Sequence, residues 1–248
     1  NALAEAGVGG VLADDMGLGK TLQLITHLLS LKHGGALSQP ALIVVPTSLI
    51  PNWQSEIARF APMLRVLTLH GPQRAEDFDQ LGAQDIVLTS YALLPRDVAA
   101  LRQQSFALIV LDEAQQVKNP RTQARRALLS LRTPRYLCLT GTPLENHLGE
   151  LWSQIDLAVP GLLGDEGAFR RHYRVPIEKQ RDEECQQRLN LRLAPFILRR
   201  TKAQVAKELP PKTEITRRVV LEGRQRELYE GLRLSLAEEL REVIAQRG

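Results

Sequence analysis

Aromatic residues make up only 4% of this 248-residue chain, cysteine occurs twice and histidine five times. Cys138 and Cys185 lie far apart in sequence and read as reduced structural thiols, not as a disulfide or a metal pair. The histidines show no ligand spacing, so nothing points to a catalytic metal held by protein side chains alone. No apolar run reaches the roughly 20 residues that a membrane-crossing helix needs, and no basic-then-apolar leader opens the chain. Those absences give the expectation of a cytoplasmic protein with no membrane partner. With few rings to pack, the core has to come from aliphatic side chains. Hydrophobic residues are 44% of the total, enough for one large domain, or one domain with an appendage.

Charge is unevenly placed. The net value is only +4, yet residues 170–226 carry sixteen Lys and Arg against seven Asp and Glu, while residues 1–169 carry thirteen against sixteen. A run of solvated helices and a polyanion-binding face both fit such a block.

The hydrophobic pattern alternates between short apolar runs and segments long enough for helical crossovers. Gly10–Ala13, Ala41–Val45, Val66–Leu69, Asp85–Leu88, Phe106–Leu111 and Tyr136–Leu139 read as strands. This rhythm predicts an α/β fold with a doubly wound, mostly parallel sheet. Leu22, Ile25, Leu28 and Leu29 space a helix from Lys20 to about Leu31, stopped by His33-Gly34-Gly35. From Glu145 to about Leu193 the pattern is helical, with interruptions expected at Val159-Pro160-Gly161 and Val175-Pro176. Pro195–Leu198 and Ile215–Leu221 return to strand. From about Arg224 to Ala245 a final helix repeats Tyr229, Leu232, Leu236, Leu240 and Ile244, one apolar face that wants a partner.

Two segments carry chemistry. VLADDMGLGKT at Val11–Thr21 ends in Gly17-x-Gly19-Lys20-Thr21, which lets backbone amides close around phosphate oxygens at a helix N-terminus. There Lys20 would reach the β- and γ-phosphates and Thr21 would ligate Mg²⁺. LIVLDEAQ at Leu108–Gln115 is an apolar strand ending in two carboxylates. Asp112 would hold the Mg²⁺ and Glu113 would deprotonate the attacking water. The strict phosphate-loop pattern wants glycine where this chain has Asp14. The paired segment, placed where parallel sheets bind ligands, outweighs that departure.

DDMGLGKT, LIVVPTSLIPNWQSEI, DIVLTSYALL, LDEAQQVKNP, LTGTPLENHLGELWSQIDL and FILRRTKAQVAKELPPKTE resemble, in order, the signatures of SWI/SNF-type ATPases of helicase superfamily 2. They span Ala13 to about Glu214, and DEAQ resembles bacterial and archaeal members. The resemblance implies a RecA-like P-loop NTPase lobe. Its core would be residues 1–144, with a helical protrusion at 145–193, a return to the lobe at 194–221, and a helix at 222–248 leading to a second RecA-like lobe absent from this chain.

It also implies ATP and Mg²⁺ as cofactors and double-stranded DNA as partner, within a motor that translocates on duplex DNA and remodels nucleoprotein targets. The location would then be nucleoid-associated if the source is bacterial. Asp15, Met16, Gly17, Leu18, Gly19, Lys20, Thr21 and Gln115 would bind nucleotide, Gln115 by sensing the γ-phosphate or touching Thr140. Thr47, Ser48, Thr89, Ser90, Lys118, Asn119, Arg199 and Arg200 would approach the nucleic-acid backbone, although Thr47 or Ser48 would serve equally as a helix cap. Thr140, Gly141 and Thr142 would couple the two sites. Trp53 reads as a packing residue beside Ile50, Ile57 and Phe60. Without arginines from a second lobe, these residues alone would hydrolyse ATP slowly. The alternatives are an RNA helicase, an RNA-polymerase-recycling ATPase and a nucleotide-binding scaffold without turnover.

Overall fold

The computed structural model describes residues 7–141, 148–205 and 220–247, with side chains of the last segment described to residue 237. The chain divides into two units, Asn1–Lys207 and Glu208–Gly248.

In the first unit the elements follow in the order β1 (Gly10–Leu12), α1 (Lys20–His33), β2 (Ala41–Val45), α2 (Ile50–Phe60), β3 (Val66–Thr68) and β4 (Ile86–Ser90). Next come α3 (Leu94–Leu101), β5 (Leu108–Leu111), α4 (Gln123–Leu129), β6 (Tyr136–Leu139) and α5 (Leu148–Ala158). The unit closes with α6 (Glu166–Phe169), α7 (Val175–Gln180), α8 (Glu183–Leu193), β7 (Ile197–Leu198) and α9 (Lys202–Val205). The strands form one sheet in the order β3-β4-β2-β5-β6-β1-β7, and every pairing is parallel. This is the doubly wound, parallel α/β fold that the alternating pattern predicts.

Two hydrophobic clusters fill the two faces. On one, Leu24, Ile25 and Leu28 of α1 and Ile50, Trp53 and Ile57 of α2 meet Ile43, Val45, Leu88 and Val110. On the other, Leu94, Leu101, Leu128, Leu151 and Ile155 meet Val44, Val87, Ile109 and Leu111. Strands β2, β4 and β5 are buried on both sides, which is why they read as continuous apolar runs. Each large aliphatic so enclosed contributes about 1.5–3 kcal/mol before ordering costs.

The expected strands from Gly10–Ala13 to Pro195–Leu198 form with shifts of no more than two residues at either end. The interruption expected at Val175-Pro176 does not occur. Helix runs from Glu166 through a π-helical turn, Arg170–Arg174, into α7. Proline cannot donate to the carbonyl one turn back, and the Cys185 thiol takes that place, donating to the His172 oxygen at 3.2 Å. The break falls instead at Arg181, with φ of 55°, and Asp182 then caps α8.

The second unit contains α10 (Gly223–Arg247). Tyr229, Leu232 and Leu236, from the face expected to take a partner, are each more than half exposed. Most of the expected strand Ile215–Leu221 lies outside the described residues; Val220 and Leu221 are exposed and not in a strand.

Candidate nucleotide site

The candidate segments leave the sheet at the C-terminal ends of its strands, the edge where parallel α/β sheets take ligands. After β1 the chain passes through Asp14 and Asp15 into a turn in which Gly17 and Gly19 have φ of 86° and 73°. A β-carbon is costly in that left-handed region, which accounts for glycine at both places. Gly19 directly precedes α1 and no side chain caps the helix. Its first amides therefore face the loop, as an anion cradle requires. Met16 is exposed at 65%. The Lys20 ammonium folds back onto the loop, donating to the carbonyl oxygens of Asp14 at 2.8 Å and Asp15 at 3.3 Å.

Asp14, the departure from the loop pattern, has a structural explanation. Its side chain is fully buried and accepts from the Arg200 backbone amide at 2.9 Å, the Arg200 guanidinium, and Gln23 Nε2 at 3.2 Å. Burial works against ionising it, but the hydrogen bonds from Arg200 and Gln23 and the guanidinium charge outweigh that and hold the carboxyl below its ordinary value. A glycine could not anchor the loop to β7 in this way. The Arg200 guanidinium, expected along a nucleic-acid backbone, is engaged at the loop through Nε and one terminal nitrogen.

At the end of β5, Asp112 is 7% exposed. Its Oδ2 accepts from Trp53 Nε1 at 2.8 Å and its Oδ1 from the Glu113 amide at 3.0 Å. Burial pushes this carboxyl up, the indole hydrogen bond pulls it down and the neighbouring Glu113 charge pushes it up again, for a net rise. Tyr91 donates to the Asp112 carbonyl at 2.8 Å. Glu113 has a φ of 50°, a strained backbone of the kind that collects at functional sites. Its Oε2 accepts from Gln115 Nε2 at 2.6 Å, and Gln115 Oε1 accepts from the Thr140 hydroxyl at 3.3 Å.

Gly141 closes the circuit. A β-carbon there would stand 2.8 Å from Met16 Cγ and 3.8 Å from Lys20 Nζ. Lys20, Gly141, Thr140, Gln115 and Glu113 thus form one contiguous chain of neighbours. Thr142 lies outside the described residues, and Leu18 and Thr21 are partly buried at the loop and first turn of α1. Trp53 is a packing residue, 1% exposed, but its indole N–H also fixes Asp112, and the apolar helix face that identified it gave no sign of that bond. Phe60 does not share the burial: it is 41% exposed.

The nucleic-acid candidates separate. Thr47 and Ser48 are exposed on a 3-10 turn, Thr47–Leu49, and neither side chain caps α2. Thr89 and Ser90 are 0% and 1% exposed, so their hydroxyls, expected at a phosphate backbone, are enclosed at the end of β4 instead. Lys118 is half exposed and pairs with Glu150 at 2.7 Å. Asn119 is exposed and accepts from the Arg121 amide at 2.9 Å, and Arg199 is exposed.

Residues 2–246 match the SNF2-related domain. The chain belongs to that family. It is 44% identical over 236 residues to YwqA of Bacillus subtilis, named as an ATP-dependent helicase/translocase, covering 93% of this chain and 26% of that one. It is 37% identical over 235 residues to the ISWI chromatin-remodeling complex ATPase CHR11 of Arabidopsis thaliana, covering 93% of this chain and 22% of the relative. Among solved structures, the Sulfolobus solfataricus SWI2/SNF2 ATPase core in complex with dsDNA superposes with a TM-score of 0.76 at 40% identity, covering 83% of this chain and 42% of that core. This SNF2-related domain thus spans well under half the length of the relatives it matches. Within it, carboxylate and hydroxyl oxygens at Asp112 and Thr21 form a hard donor set suited to Mg²⁺. Each Asp112 oxygen accepts one hydrogen bond and keeps lone-pair capacity for such an ion.

Proposed function

We propose that this chain is the ATP-binding lobe of a DNA-dependent ATPase that translocates along duplex DNA and remodels nucleoprotein complexes, acting with a second lobe of its parent protein. The observation that carries the reading is the network running from Lys20 through Gly141, Thr140 and Gln115 to Glu113. It joins a phosphate cradle to a candidate base in one connected site, and the likeness to a core solved with dsDNA supports the choice of DNA.

In this reading the substrate ATP lies against the amides of Gly17–Thr21, and Lys20 exchanges its contacts with the loop carbonyls for phosphate oxygens. Glu113, oriented by Gln115, accepts the proton of the attacking water. Bound Mg²⁺, held by Asp112 and Thr21, supplies neutralising charge at the phosphates. Thr47, Ser48, Lys118, Asn119 and Arg199 engage the nucleic-acid backbone by charge and shape and do not read sequence. Arginines from the second lobe complete the site, so this chain alone turns over slowly.

The reading is tested in a protein carrying both lobes. Lys20→Ala weakens ATP binding and abolishes turnover, whereas Glu113→Gln leaves binding largely intact and slows hydrolysis by about 10²-fold or more. Full turnover in Glu113→Gln would refute its assignment as the base.

A further inference from the structure

Lys202, the last residue of the basic run Arg199-Arg200-Thr201-Lys202, lies against the phosphate loop. Strand β7 pairs with β1, and the contact continues beyond both strands. Ala13 donates to the Leu198 oxygen at 2.7 Å, Asp15 to the Arg200 oxygen at 3.0 Å, and the Lys202 amide to Asp15 Oδ2 at 2.9 Å. The segment after β7 is thereby laid along the loop, and the Lys202 side chain extends over Gly17. Its Cε and Nζ both lie 3.7 Å from where a Gly17 β-carbon would stand. Among the described residues its ammonium has no acceptor, and the nearby Asp15 carboxylate oxygen takes the backbone amide of Lys202 instead. An unpaired ammonium beside amides that open toward an anion is an arrangement for phosphate.

Sheet order fixes which end of the nucleotide it meets. β1 lies between β6 and β7, and β5 lies beyond β6. Asp112 and Glu113 therefore stand on one flank of the loop, together with the Lys20 ammonium near Gly141. Lys202 stands on the other flank, away from the bond to be hydrolysed. We infer that Lys202 is a second nucleotide-binding cation, contacting a phosphate that remains in the nucleoside diphosphate product. This rests on the nucleotide-site reading above.

The test is equilibrium binding of a fluorescent ADP and of a non-hydrolysable ATP analogue to the wild-type chain, Lys202→Ala, Lys202→Arg and, as a control on the site itself, Lys20→Ala. One lost charge-assisted hydrogen bond is worth about tenfold in affinity. Lys202→Ala is expected to weaken both nucleotides alike by about that factor, with most of the loss restored in Lys202→Arg. The exposed, unpartnered side chain makes misfolding of the variants a remote concern, and a melting curve checks it. Unchanged affinity for both nucleotides in Lys202→Ala, while Lys20→Ala loses binding, would overturn the inference and leave the site reading standing. Loss of the triphosphate alone would overturn the assignment to a retained phosphate. A wild-type chain that binds neither nucleotide would bring down the site reading, and this inference with it.

Discussion

Trp53 shows how one side chain serves stability and chemistry together. Its ring is sealed between α2 and the sheet, and its N–H is the donor to Asp112 Oδ2. Phenylalanine would keep most of the buried area but leave a buried carboxylate oxygen without its donor, a loss of about 1–3 kcal/mol. Trp53→Phe should therefore lower the unfolding free energy read from denaturant curves by that amount and cut kcat of a two-lobe protein by about tenfold or more, because the carboxylate is freed from its position. An unchanged kcat would show that the indole only packs. At this scale the sequence was legible wherever function follows from local spacing: the glycines, Lys20, Thr21 and the Asp112-Glu113 pair are neighbours along the chain. It was not legible where the partner is remote. Asp14 meets Arg200 across 186 positions, and Trp53 meets Asp112 across 59. Thr89 and Ser90 looked like their counterparts Thr47 and Ser48, because a strand end and a surface turn share the same small polar residues.

Between elements, the Asp14–Arg200 pair ties the loop after β1 to the end of β7. Asp14 ionises below its ordinary value in the folded protein, while an unfolded aspartate titrates near about 3.9. The sign follows from proton uptake: the unfolded state binds more protons, so the pair's contribution is fully present above about pH 5 and is lost as pH falls below about 4, through the folded value. Asp14→Asn should accordingly be less stable than wild type near neutrality, with the gap narrowing in acid; denaturant midpoints measured across pH 3–7 test this, and a gap that widened on acidification would contradict it. Elements with strong periodicity, such as β2 and α1, were plain in the sequence. The helix through Pro176 was not, because its continuity depends on a π turn and on a thiol donated from α8, neither of which leaves a periodic trace.

On the scale of the whole chain, the first unit is one parallel sheet, and the groups proposed to meet ATP lie in its loops and at the start of α1, beyond the C-terminal ends of the strands. The positive block at residues 170–226 runs from the π turn Arg170–Arg174 through α9 and into the segment beyond, part of which is outside the described residues. The chain covers 26% of YwqA and 42% of the Sulfolobus core. The most direct measurement is ATP hydrolysis by this chain and by a protein carrying both lobes, each with and without duplex DNA. Slow turnover with little response to DNA is expected from the chain alone, and strong stimulation by duplex from the two-lobe protein. Strong DNA-stimulated turnover from these 248 residues by themselves, or turnover by the two-lobe protein that ignores duplex DNA, would contradict the half-site motor.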